Sequence, residues 1–197
     1  MSVFNLNEQN TSLDKKIVAG LERLSQVFKT LLWEKAKAFG LSPIQIQLLI
    51  FIKHHSQDKS TVSYLAREFN LSKPTISDAV KTLLKKQLIV KQAASDSRSY
   101  SIGLTAAGHK LVAQTEDFAS PITDLVAQGT MQDKQVLWEN IAKLIVQLNK
   151  LDIISVQRTC FNCKYYGKKE EAHFCKLLDQ KLETQDLRLD CAEFEQS

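Results

Sequence analysis

Residues 60–87 read STVSYLAREFNLSKPTISDAVKTLLKKQ, two short amphipathic segments separated by a turn. Ser60 can cap the first, with Val62, Leu65, Ala66 and Phe69 on one face and Asn70 near its end. Ser72 can cap the second. Pro74 is tolerated in a first turn, and Ile76, Val80, Leu83 and Leu84 repeat on one face to about Gln87. Two capped helices this close together make a helix-turn-helix. The segments 89–93 and 99–104 that follow have the composition of strands, with a polar tip at 94–98 between them. A helix-turn-helix followed at once by a hairpin is a winged helix.

Upstream, Thr11, Ser12 and Asp14 offer the start of a long helix carrying Ile17, Leu21, Leu24, Phe28, Leu31 and Leu32 at helical spacing, stopped at Gly40. Ser42 and Gln45 form the ends of a capping box with Pro43 between them, which predicts a helix to about His54. Downstream, Thr105 and Gly108 accompany a helix and Pro121 opens another. Asp133 can start a long one bearing Val136, Leu137, Ile141, Leu144, Ile145 and Leu148. The apolar stripes on the first and last long helices are more than a small reading unit needs, and are expected to pack with a second copy as a homodimer.

The expected architecture is therefore mainly α with a small β-hairpin wing. Its segments are 1–56 (dimerisation and support), 57–105 (the winged helix-turn-helix), 106–156 (dimerisation helices) and 157–197 (a cysteine module). Its hydrophobic content of 44% suffices for a core. The longest uninterrupted apolar run, Leu48 to Ile52, is far too short to cross a bilayer. With no basic start leading into an apolar stretch, a cytoplasmic protein without membrane contact is expected.

Charge points to a partner. Residues 61–104 carry seven basic side chains (Arg67, Lys73, Lys81, Lys85, Lys86, Lys91, Arg98) against three acidic ones (Glu68, Asp78, Asp96), an excess equal to the whole chain's net charge of +4. Such concentration suits double-stranded DNA, whose phosphates release counterions when neutralised. With Ile76, Val80 and Leu83 inward, the second helix presents Lys73, Pro74, Thr75, Ser77, Asp78 and Lys81, its N-terminal half placed for base edges. Ser72, Thr75 and the helix N-terminus suit phosphate. Lys85 and Lys86 read equally as a solvated helix end. At the hairpin tip Arg98 suits a narrow minor groove, with Asp96 holding the arginine or the turn. The alternative there is an Asx-turn beside an unrelated surface arginine.

All four cysteines, Cys160, Cys163, Cys175 and Cys191, lie in the last 38 positions. In a reducing compartment this argues for metal before disulfides. Four thiolates suit tetrahedral zinc or an iron-sulfur cluster. The spacing is not the paired arrangement of a zinc ribbon, and Tyr165, Tyr166, Phe174, Leu177, Leu178, Leu182, Leu187, Leu189 and Phe194 could shield a cluster. Zinc and a metal-free thiol switch remain open. So few apolar residues cannot fold alone, and a metal centre would supply the missing stability.

From about Asn5 to Lys150 the chain resembles the MarR family of winged-helix regulators. The resemblance is carried by Gly40-Leu41-Ser42-Pro43, the Leu65-Ala66 helix, Ser72 to Val80, Asp96-Ser97-Arg98 and Leu104-Thr105-Ala106-Ala107-Gly108. It implies a dimer joined through the terminal helices, an arginine corresponding to Arg98 that enters the groove, and an aspartate that orients it. The wing departs from the commonest family form in giving its arginine little basic company.

The cysteine segment resembles high-potential iron-sulfur proteins in Cys160-x-x-Cys163 followed by aromatics, Cys175-Lys-Leu-Leu ahead of Lys181-Leu182, and Cys191-Ala-Glu-Phe194. That resemblance implies a [4Fe-4S] cluster on the four cysteines.

The leading expectation is a dimeric regulator of a pseudo-palindromic operator whose cluster senses redox state, oxygen or iron. A second keeps DNA binding but makes the metal structural zinc, with a small-molecule effector in the dimer crevice. A third, a thiol oxidoreductase on Cys160 and Cys163, lacks the βαβ context of that motif. No Ser/His/Asp set, phosphate loop or spaced carboxylate pair is present, so enzymatic activity is not expected.

Overall fold

Hydroxyl side chains decide where most of the helices begin. The computed structural model describes residues 2–93, 100–155, 158–170 and 172–196. Within them Ser12, Thr61, Ser72, Thr105 and Thr130 each stand one residue ahead of a helix and accept a backbone N–H from its first turn. These open α2 (Leu13–Ala38), α4 (Val62–Glu68), α5 (Lys73–Lys85), α6 (Ala106–Thr115) and α8 (Met131–Lys150). At α3 (Pro43–His54) the Ser42 N–H donates to Gln45 Oε1 at 2.9 Å, half of the anticipated capping box. Pro121 lies in the first turn of α7 (Ser120–Ala127).

Several starts differ from expectation. A short α1 (Leu6–Thr11), capped by Asn5, precedes the long helix; its six residues are too few to show a stripe. Thr61, not Ser60, caps α4. Ser60 is buried, and its carbonyl accepts the Ile102 N–H at 2.9 Å, which ties the turn to the wing instead. Thr130, not Asp133, starts α8, with Asp133 three residues in and bonded back to the Thr130 hydroxyl at 2.6 Å.

Two strands, β1 (Ile89–Ala93) and β2 (Tyr100–Leu104), pair antiparallel with Ile89 opposite Leu104 and Ala93 opposite Tyr100. The anticipated strand start at Ser99 lies outside the described residues. The core joins one face of each reading element to the support behind it: Ile46, Leu48 and Leu49 of α3, Leu65 of α4, Ile76, Val80 and Leu83 of α5, Ile89, Ile102 and Val112. The fold is the winged helix-turn-helix with flanking long helices. Those helices leave much of their apolar stripe bare, with Ile17, Leu21, Leu24 and Phe28 of α2 and Val136, Leu137, Leu144 and Leu148 of α8 exposed. Among the described residues no helix is long and apolar enough to cross a membrane.

The cysteine segment has structure of its own. Strands β3 (Tyr166–Lys169), β4 (Ala172–Cys175) and β5 (Gln180–Leu182) form an antiparallel sheet in that order. Leu182 and Leu187 are buried there, outside the main core.

Candidate nucleic-acid interface and cysteine module

Because Ile76, Ala79, Val80 and Leu83 are buried, α5 is fixed by one side and shows the other to solvent. Ser72, Lys73, Pro74, Thr75, Asp78 and Lys81 are exposed, while Ser77 is half-buried. Ser72 Oγ accepts the Thr75 N–H at 3.2 Å and lies 2.8 Å from the Thr75 hydroxyl. The Thr75 donor is thereby satisfied, Pro74 has none and the Ile76 N–H bonds the Ser72 carbonyl at 3.2 Å, which leaves the Lys73 N–H at the positive end of the helix. Lys81 bonds Asp78 at 3.0 Å, with both side chains about three-quarters exposed, so the pair holds the lysine only weakly. Asp96 and Arg98, expected at the wing tip, lie outside the described residues.

The wing is gripped at its base. Gln87 takes a left-handed conformation (φ 57°) where α5 turns into β1. There the Thr105 hydroxyl donates to the Gln87 carbonyl at 2.8 Å and the Thr105 N–H to the Leu88 carbonyl at 3.1 Å. Gly108, three residues on, lies so close that a Cβ there would sit 2.1 Å from the Leu88 oxygen. A glycine in Leu104-Thr105-Ala106-Ala107-Gly108 is thus a requirement of close approach.

Cys160, Cys163, Cys175 and Cys191 all line one cavity of about 310 Å³, with Tyr165, Tyr166, Phe174, Leu177, Leu178 and Leu182 on its apolar walls. The sequence alone brought these four together, and the structure places them around one space. Among the described residues no three His, Cys, Asp or Glu side chains converge on a point that one metal ion would occupy. Burial pushes the Cys160 thiol up, partly offset by the Arg188 N–H that donates to its sulfur at 3.2 Å. The Arg188 guanidinium also reaches Cys191 Sγ, at 3.5 Å. His173 is flanked by Phe161 and bonded through Nδ1 to Tyr166 Oη at 2.6 Å, beside the cavity rather than on its lining.

The module is moored to two other parts of the chain. Asn162 bonds Asn149 of α8 at 2.8 Å, and Thr184 bonds Glu139 of α8 at 3.3 Å. On the other side Arg158, 7% exposed, inserts against α4 and is met there by Glu68 and Tyr64, and from the module by Asp190. Hydrogen bonds donated to Asp190, with further help from Glu68, outweigh burial and hold the Arg158 guanidinium more firmly protonated than usual. Nothing in the sequence reading selected Arg158, Asp190, Glu68 or His55. The available signal was position: Arg158 stands two residues before Cys160, and Asp190 one before Cys191.

Residues 39–99 match the sequence profile of the MarR family. Among solved structures, the chain is similar to MepR of Staphylococcus aureus crystallised in complex with DNA. That match has 28% identity over 66% of this chain and 97% of that one, with a TM-score of 0.58. A MarR transcriptional regulator from Methanosarcina mazei Go1 shares the fold at 20% identity, over 71% and 99% of the two chains, also with a TM-score of 0.58. No curated protein matches significantly. The profile match ends before the cysteine module.

Proposed function

We propose that the chain is a dimeric DNA-binding transcription regulator of the MarR type, whose cysteine module holds an iron-sulfur cluster that senses redox state, oxygen or iron. The observation that carries the DNA-binding reading is α5: a helix anchored by its buried face, with Lys81 exposed further along it and Ser72 to Thr75 exposed along its N-terminal half. In the MarR-type docking this half enters the major groove, Ser72 and Thr75 meet phosphate, and Lys73, Ser77 and Lys81 reach bases or backbone. Similarity to a protein solved on DNA supports it. Arg98, steadied by Asp96, would add the minor-groove contact. Selection from a random duplex library tests the reading: a pseudo-palindromic sequence should be enriched. A final pool bound no more tightly than random DNA would refute it.

Cluster binding by Cys160, Cys163, Cys175 and Cys191 is supported by their arrangement. Ligands of one zinc ion must each come within about 2.3 Å of a single point. Thiolates set around an apolar-walled cavity suit a centre with several metal atoms, each holding its own cysteine. When bound, such a centre supplies one-electron redox chemistry. The chain's own part is to hold the four thiolates, to donate the Arg188 N–H to Cys160 and to keep water from the apolar wall. Protein purified without oxygen should contain iron and acid-labile sulfide; stoichiometric zinc instead would select the structural-metal alternative. An apolar crevice bounded by Phe28, Leu32, Trp33, Pro43 and Phe118 favours, under that alternative, a small-molecule effector.

A further inference from the structure

We propose that Arg158 is the link through which the state of the cysteine module reaches the DNA-reading helices, an inference that rests on the module holding a metal centre. The guanidinium carries five N–H donors. Its Nε and Nη2 bond both oxygens of Asp190, at 2.5 and 2.8 Å. Nη1 and Nη2 bond both oxygens of Glu68, at 2.7 and 3.1 Å, and Nη1 also donates to the Tyr64 hydroxyl at 2.8 Å. These five bonds use the full donor set, so no donor is left for a ligand in the polar cleft alongside. An arginine that cannot shed its charge is costly to bury unless it is paired in this way. The bidentate fork on each carboxylate fixes orientation as well as distance.

The two carboxylates belong to different parts of the molecule. Asp190 precedes Cys191, and its segment is zipped to that of Arg158 close to two of the thiolates. The Cys191 N–H donates to the Arg158 carbonyl and the Cys160 N–H to the Arg188 carbonyl, each at 3.1 Å. Glu68 and Tyr64 lie on α4, whose Leu65 and Ala66 are buried in the core shared with α5. His55, just past α3, shares Asp190 Oδ2 with the Arg158 Nη2 donor, at 2.7 Å, while its ring stacks on Phe51 at 3.7 Å.

Thiolates gathered on a centre hold residues 158–160 and 188–191 together and present Asp190 to Arg158. Loss of the centre frees that pairing. Arg158 then follows one carboxylate or the other, and α4, with α5 behind it, is no longer held at the same angle.

The test is a double-mutant cycle on the full-length chain, with operator affinity measured at one salt concentration. Cys163→Ser, which disables the centre without touching Arg158, should change affinity about tenfold in the otherwise native chain. In the Glu68→Ala background the same substitution should change it less than twofold. Glu68→Gln, which keeps volume and removes charge, supplies the comparison should the alanine variant lose its fold. A Cys163→Ser effect that persists undiminished without the Glu68 carboxylate overturns the proposal, as does a native chain indifferent to Cys163→Ser. Iron, sulfide and zinc analysis of the same samples judges the cluster reading separately, because the coupling measured by the cycle is the same for a zinc centre as for a cluster.

Discussion

Replacing Gly108 with alanine should destabilise the reading unit, although alanine is ordinarily the better helix former by about 1 kcal/mol. The new methyl carbon would begin 2.1 Å from the Leu88 carbonyl oxygen, 3.2 Å from its carbon and 3.4 Å from Leu104 Cβ. Relief requires the start of α6 to withdraw by roughly 1 Å, since ordinary contact begins near 3.4 Å. That oxygen is also the acceptor of the Thr105 N–H, and the Thr105 hydroxyl both caps the Gly108 N–H at 3.0 Å and holds Gln87. Withdrawal therefore strains or breaks these bonds together. Overpacking costs about 1–3 kcal/mol and a lost buried hydrogen bond about 1 kcal/mol. Against the propensity gain, the net loss should be about 1–3 kcal/mol. Urea unfolding followed by circular dichroism measures it as a lower midpoint at unchanged slope. An alanine variant as stable as the native chain would show that the α6–wing junction gives way freely, and the requirement for glycine would be refuted.

Lys81→Ala should weaken operator binding and flatten the salt dependence by about one unit of slope, with sedimentation still showing a dimer; an unchanged anisotropy titration would remove Lys81 from the contact surface. Arg98→Ala should behave in the same way, and a titration indifferent to it would place the wing off the DNA. A chain ending at Lys150 should still dimerise, because the bare stripes of α2 and α8 lie within it and apolar burial contributes about 25 cal/mol per Å²; a monomer in sedimentation would put the cysteine module in the interface.

The reading unit was legible in the sequence because its signals are local. Ser72 with Pro74, Thr105 with Gly108, and the repeat Ile76, Val80, Leu83 each act within one or two turns of helix, and the structure uses them as read. Ser60 misled because a hydroxyl next to Thr61 can cap the same helix. Burial decided between them, and burial depends on the hairpin some forty residues away. The four cysteines were legible as a set by composition, but not the cavity, since Cys191 approaches Cys160 through the pairing of residues 158–160 with 188–191, which lie about thirty positions apart. The Arg158 network was invisible for a like reason. Tyr64, Glu68, Arg158 and Asp190 span more than half the chain, and charged residues in a charged stretch carry no sign of burial.

The mooring of the cysteine module to both α8 and α4 closes a triangle. A winged helix carried on dimerisation helices alone can swing about the connections at its base, and so adjust to half-sites set a little nearer or further apart. Here the module supplies a third side, tying α8 to α4 across that base. In the proposed dimer the two recognition helices would have to meet grooves about 34–36 Å apart along the duplex, and a triangulated frame would fix this span in advance. In a dimer of the proposed kind the pair would act less like a hand closing on DNA than like a gauge of fixed jaw width, favouring operators of one spacing and saving the entropy of finding the span.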